Sequence, residues 1–449
     1  MKVVTLEEFG GHADGQFDNS EAFKNAISFL ADNNGGVLKV CKGVWKTGPI
    51  DLFSNITLDI AEDAVISFIF NPELYRPVFT RWEGVECYGM HPCIFSSNSK
   101  NVKITGKGTI DGCGSHWWEL RHKKRTQKEP EMPIEKELAS LNPDYKKQPG
   151  GGGGREVQFL RPPLVQFFNA SNVIIEQVTL TNSPFWTLHP VYVDNLEIRE
   201  ITIQNPHNAP NTDGIDIDSC SNVLIADSVV SVGDDGIALK SGSGPDGIRV
   251  NKPCHNIKVR NCIVGDGHGG IVIGSETAAG IHHVIAENCT FNGTDRGIRI
   301  KTRRGRGGHI HHLIFKNNTM RENLCPVAIN MFYRCGASEQ DTDLFSLEPQ
   351  PIVDTTPQIY EVQIEGLIST SSKASAGFIT GLPEAPIKNL TLKNCFFATD
   401  ENSTISPQDS EMFLGIPETK VKSIRVLFCE KPDFQNITVV GPEVPTIFR

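Results

Sequence analysis

From about residue 55 a short pattern recurs along this chain of 449 residues. Each unit opens with Asn or His, alternates apolar and polar residues, and closes in Gly, Asn or Asp. Asn101-Val102-Lys103-Ile104, Asn172-Val173-Ile174-Ile175 and Asn195-Leu196-Glu197-Ile198 are examples. Asn222, Asn256, His283, His312 and Asn389 open further copies. From Asn172 to His312 the openings fall at intervals of 23, 27, 34, 27 and 29 residues. Period-two alternation predicts strands, and a repeat in the twenties predicts a solenoid in which each unit buries its apolar face on its neighbours. No helical segments lie between the strands, which disfavours an α/β barrel and leucine-rich repeats. The expected fold is all-β: a single-stranded, right-handed parallel β-helix with coils about 4.8 Å apart. The opening Asn residues would form a ladder at the turns.

The chain ahead of the repeats predicts a lid. Asp18-Asn19-Ser20 offers capping side chains, Ala22, Phe23, Ala26, Ile27 and Leu30 fall at helical spacing, and Asn33-Asn34-Gly35-Gly36 stops the run. One helix there suits the open end of a stack, which would otherwise expose edge groups. No composition break divides the chain, so one domain over 1–449 is expected, with 1–55 as the capping region. Two segments break the period. Residues 119–161 are charged, Pro-rich and carry five consecutive glycines, Gly150 to Gly154; residues 336–357 are acidic. Long inserts on a rigid scaffold often shape a cleft.

Composition narrows the function. The net charge of -10 does not suit nonspecific nucleic-acid binding, which needs a broad basic surface. No stretch is long and apolar enough to span a bilayer, and the N-terminus lacks a secretory signal, so a cytoplasmic protein is expected unless a signal was removed. The 12 Cys show no CxxC pair; Asn261-Cys262, Asn288-Cys289 and Asn394-Cys395 place three of them alike, as buried thiols of a reducing compartment. The composition is compatible with a homo-oligomer.

Four segments carry chemistry: Asn211-Thr212-Asp213-Gly214, Gly233-Asp234-Asp235-Gly236, Gly267-His268-Gly269-Gly270 and Arg299-Ile300-Lys301. Asp213 and Asp235 are one coil apart. Gly233 and Gly236 allow a bend that turns both Asp234 and Asp235 toward one cleft. Three crowded carboxylates repel, which should raise the pKa of at least one, giving an acid beside a base. Acidic turns or a Ca²⁺ site would use the same residues. His268 can orient or share the acid's proton. Arg299 and Lys301 alternate with Ile300 and should share an outward face, with Arg303, Arg304 and Arg306 extending a basic patch for a carboxylated sugar. Lys240 adds a cation. Tyr333, and Trp186 with His189, either stack on a sugar or pack. His309, His311 and His312 have no acidic or Cys partner at ligand spacing in the sequence, so no metal and no cofactor is expected.

In this order and spacing the four segments resemble the polygalacturonase family of pectin hydrolases, glycoside hydrolase family 28, most of all its bacterial exo-acting members. The resemblance runs from the N-terminal helix to about Tyr333. It implies a pectin-lyase-like β-helix and hydrolysis of α-1,4-galacturonosyl linkages with inversion, on pectin or acidic oligosaccharides. By position it makes Asp234 the general acid, and Asp213 and Asp235 the pair that activates water. His268 would tune the acid, and Arg299 and Lys301 would hold the uronate, with Asn211, Lys240, Tyr333 and His189 as further substrate contacts. Carboxylates one coil apart, about 5 Å, belong by distance with retention; the resemblance points to inversion. The insert at 119–161 would wall off one end of the groove and make the action exo. The competing expectations are a rhamnogalacturonan or xylogalacturonan hydrolase, a Ca²⁺-dependent pectate lyase, and a non-catalytic carbohydrate-binding β-helix.

Overall fold

The computed structural model describes residues 1–127, 131–144, 161–338, 340–441 and 447–448. They fall into two compact units, 1–82 with 86–233, and 234–448 with 83–85. Each is a stack of β-coils. Most coils give two consecutive strands to one sheet and a third strand to another, and neighbouring coils pair in parallel.

In the first unit the strands Lys100–Gly106, Ser171–Glu176, Asp194–Arg199 and Ser221–Ala226 lie side by side. Their register superposes like on like: Val102, Val173, Leu196 and Val223 form one interior column, Ile104, Ile175, Ile198 and Ile225 the next. All are buried. A one-residue slip would turn each column to solvent, so burial itself fixes the register. The second unit repeats this with Ile257, Val284, Leu313, Val362 and Leu390.

The turns are equally regular. In the first unit the third strands Val165–Phe168, Leu188–Val191 and Ile215–Asp218 reach the next coil through two residues only. Asn169, Tyr192 and Ser219 follow those strands with left-handed backbone (φ 55, 54 and 53°), as do the coil-opening Asn172, Asn195 and Asn222. Asn tolerates that conformation better than most residues. The opposite corner varies, with connections 182–187 and 205–214 here and 265–268 and 293–295 in the second unit.

The expected lid is present. Helix Ser20–Asp32 buries Ala22, Phe23, Ala26, Ile27 and Leu30. The insert differs from an irregular loop: it holds helices Ser115–Gln127 and Pro133–Leu141. Trp117, fully buried, sets its ring edge-on to Tyr75 at 5.1 Å, and Ile134 and Leu138 anchor the second helix. Charged residues dominate the solvent sides, and they mask these few apolar anchors in the sequence. Gly150–Gly154 lie outside the described residues. A further helix, Gly244–Val250, follows the strand Asp235–Lys240. Among the described residues no helix is long and apolar enough to cross a membrane. All twelve cysteines are free thiols.

Candidate active site

Within the second unit the structure gathers Asp234, Asp235, Lys240, His268, Arg299, Lys301 and Tyr333. Asp235 opens the strand Asp235–Lys240 and lies in register with Gly269. On the next coil Arg299 and Lys301 flank Ile300, which enters the core column of Leu239 and Ile273. The predicted alternation is therefore present. Arg299 Nη1 donates to Asp235 Oδ1 at 3.1 Å and Lys301 Nζ to Oδ2 at 2.5 Å. Reaching Asp235 from two coils away requires an empty place between them, and Gly269 provides it. A Cβ there would stand 3.3 Å from Asp235 Oδ1 and from Arg299 Cδ, and 2.4 Å from Val272 Cγ2.

Asp234 has different surroundings. Its Oδ1 accepts from the Asp235 amide at 2.9 Å and lies 3.2 Å from His268 Nδ1. The His268 amide in turn donates to the Asp234 carbonyl at 2.8 Å. Of the two acids only Asp234 reaches solvent, its side chain 20% exposed against 1% for Asp235.

Electrostatics separate the two further. Burial alone would push the Asp235 carboxyl up, but Lys301, Arg299 and Lys240 outweigh it and hold Asp235 well below the usual carboxylate range. The argument from mutual repulsion is thus corrected at Asp235: buried cations override carboxylate crowding. His268 is shifted upward, first by its hydrogen bond to Asp234 and then by the charges of Asp234, Asp235 and Asp295.

The cations themselves are less open than the sequence suggests. Arg299 is 1% exposed, and Glu411, from a segment with no visible motif, grips it through Nε at 2.9 Å and Nη2 at 2.8 Å. Desolvation opposes ionisation of Glu411, yet Arg299 and Arg296 bring its pKa down to about 2. The Tyr333 ring lies under both cations, 5.4 Å from Arg299 and 5.2 Å from Lys301, and is itself buried. Lys240 meets Glu276 at 3.3 Å.

The extended basic patch is a correction. Arg303, Arg304 and Arg306 are all buried. Arg304 takes Glu384 at 2.6 and 2.8 Å and the carbonyls of Leu344 and Ser346 at 3.1 and 2.9 Å. It pins the acidic segment 336–357 instead of facing a ligand. No sequence signal distinguishes such a clamp from a binding patch.

In the first unit, Asp213 stands two residues before the strand Ile215–Asp218, its carbonyl accepting from the Thr187 amide at 2.8 Å. Asn211 has left-handed backbone (φ 54°), and its Oδ1 accepts from Arg161 Nη2 at 2.7 Å. Arg161 is fully buried and was not singled out by any motif. His189 is a second correction. Its side chain is 1% exposed, because the strand Pro77–Trp82 covers this face: Thr80 bonds Gln166 at 2.6 Å, Gln166 bonds His189 Nδ1 at 2.8 Å, and Arg81 bonds Asp218 at 2.7 Å. An enclosed imidazole cannot stack on a sugar in this conformation. Trp186 packs edge-on against it at 4.8 Å.

A solvent-facing carboxyl touched by an imidazole, beside a second carboxylate kept ionised by cations, defines acid–base hydrolytic chemistry on a parallel β-helix. Residues 152–405 match the model of the glycosyl hydrolases family 28. The chain belongs to that family. It is 34% identical over 328 residues to a probable polygalacturonase of Vitis vinifera, covering 71% of this chain and 60% of the relative. It is 28% identical over 348 residues to an exo-poly-alpha-D-galacturonosidase of Dickeya chrysanthemi, covering 73% and 56%. The chain thus spans a little over half the length of these curated relatives. Among solved structures it superposes on a hyperthermoactive exopolygalacturonase of Thermotoga maritima with a TM-score of 0.76 and 34% identity, over 89% of this chain and 87% of that one. The handedness expected from the repeat, right-handed, is that of these β-helices.

Proposed function

We propose that this chain hydrolyses α-1,4-galacturonosyl linkages of homogalacturonan or its oligomers, releasing residues from a chain end. The observation that carries the reading is the unequal pair: Asp234 exposed and touched by His268, Asp235 buried and held ionised by Lys301 and Arg299. The names of the Dickeya and Thermotoga relatives support the exo mode.

In this mechanism Asp234 gives its proton to the leaving glycosidic oxygen, and His268 positions that carboxyl. Asp235 and Asp213 orient and deprotonate the attacking water. Asp213 joins them on an argument of position. It precedes a third strand of its coil just as Asp234 precedes Asp235–Lys240. Asn211 is a proposed sugar contact, while Tyr333 and Lys240, both buried, act through the cations and Glu276 they pack against. Lys301, its side chain 7% exposed against 1% for Arg299, is the proposed partner for a uronate carboxylate, with Arg299 acting through Asp235. One carboxylate oxygen of Asp234 and one of Asp235 lie within 4.8 Å, a spacing that alone belongs with retention. Inversion is proposed on the resemblance to the family, against the short spacing.

A time course on a defined oligogalacturonide, with chelator present and Asp234→Asn as control, tests the reading. Early release of monomer only, lost in the variant, with proton NMR showing the β-anomer first, is expected. A ladder of intermediate lengths would overturn the exo mode, and unsaturated products would overturn hydrolysis.

A further inference from the structure

The column that opens each coil changes its chemistry in the second unit. In the first unit it is an amide ladder: Asn101 donates to Asn55 at 2.8 Å, Asn172 to Asn101 at 3.0 Å and Asn195 to Asn172 at 2.8 Å. In the second unit the same left-handed position passes from Asn256 to His283, His312 and Glu361 before returning to Asn389 (φ 57, 54, 53, 56 and 50°). The adjacent column is aromatic. His255, His282, His311 and Tyr360 pair in register, with ring centroids 5.1, 4.9 and 4.7 Å apart and planes within 13°. Residues next to each other in sequence meet here because the left-handed residue turns its side chain to the face of its predecessor. His311 Nδ1 lies 2.6 Å from His312 Nδ1, and His312 Nδ1 lies 2.9 Å from Glu361 Oε2.

We propose that His311, His312 and Glu361 bind one divalent transition-metal ion of the zinc class, tying the strand His309–Lys316 to Gln358–Glu365. One donor atom from each residue lies within 4.8 Å of the other two. Two imidazoles and one carboxylate suit zinc, nickel or copper(II), whereas calcium and magnesium prefer all-oxygen sets. An ion with bonds of about 2.0–2.1 Å would part the two Nδ1 atoms to roughly 3.2–3.4 Å. The His312 and Glu361 side chains are 48% and 42% exposed and free to make that adjustment. A groove of about 400 Å³ lined in part by His282, His309 and His311 gives water and the ion access. The sequence hides the site because Glu361 arrives from the next coil, 49 residues beyond His312. The site lies on the paired-strand sheet, whereas Asp235, Arg299 and Lys301 belong to the other.

The full chain, stripped with chelator and dialysed, is titrated with Zn²⁺ alone by calorimetry, and its melting temperature is followed in parallel. One ion per chain and a higher melting temperature are expected, since an ion that binds only the folded state stabilises it. His312→Asn and Glu361→Gln should each weaken binding by about 10-fold or more and cancel the rise. His312→Asn installs the residue that fills this column elsewhere, and circular dichroism checks that it folds. Absence of stoichiometric binding, or binding equally tight in both variants, would overturn the proposal.

Discussion

Asp234 and Asp235 share a peptide bond and almost nothing else. The first meets water and His268, the second meets two buried cations. Asp234→Asn should cost about 10²–10⁴-fold in kcat, as loss of a general acid does. It should also return the His268 titration, followed by NMR, toward its ordinary value, because the Asp234 carboxylate is the first cause of its upward shift. A merely structural Asp234 would leave kcat in place. Lys301→Met removes the leading cationic influence on Asp235. The Asp235 pKa then rises, and the acid limb of kcat/KM moves to higher pH; an unmoved limb would show that Asp235 is not the base. Much of the placement was legible: the motifs named the residues that the structure gathers around Asp235, since each motif sits within a few residues of one strand. Glu411, Arg161 and the burial of His189 were not, because each depends on a segment brought from 50 to 112 residues away.

At the level of elements, the site depends on what covers the strand Arg296–Lys301. The segment carrying Glu411 lies over Arg299 and gives it two buried hydrogen bonds. Breaking a buried pair leaves a charge without its partner, so Glu411→Ala should lower stability by roughly 3–5 kcal/mol in urea unfolding. An unchanged urea midpoint would deny the clamp any part in folding. Gly269→Ala acts at the same strand pair from the other side. Overpacking Val272 should cost about 1–3 kcal/mol and depress activity by displacing Arg299 from Asp235. The strands themselves were readable from period-two alternation, because interior columns need apolar residues. The helices Ser115–Gln127 and Pro133–Leu141 were not, since each keeps only one or two buried anchors.

For the whole molecule, pH and redox conditions give separate expectations. Glu411 titrates at about 2 in the folded chain against an ordinary value of 4.5, and Asp235 is likewise depressed. A depressed carboxyl contributes stability that is present above its ordinary value and lost as pH falls through the folded one. Stability should therefore fall steeply between about pH 4.5 and 2, and Glu411→Gln should flatten that slope in acid unfolding followed by circular dichroism. Twelve free thiols predict that reductant leaves thermal unfolding unchanged; a drop in melting temperature would reveal a covalent link. The two kinds of corner bear on descent. In the first unit the turns after Phe168, Val191 and Asp218 keep one length, two residues each. The opposite corners, at 182–187, 205–214 and 265–268, already differ in length and carry Asp213 and His268 at their ends. Insertions and deletions can therefore accumulate beside the chemistry while the coils stay in step. A lineage of such chains can change what it digests by lengthening or trimming loops, at no expense to the scaffold that holds the acids.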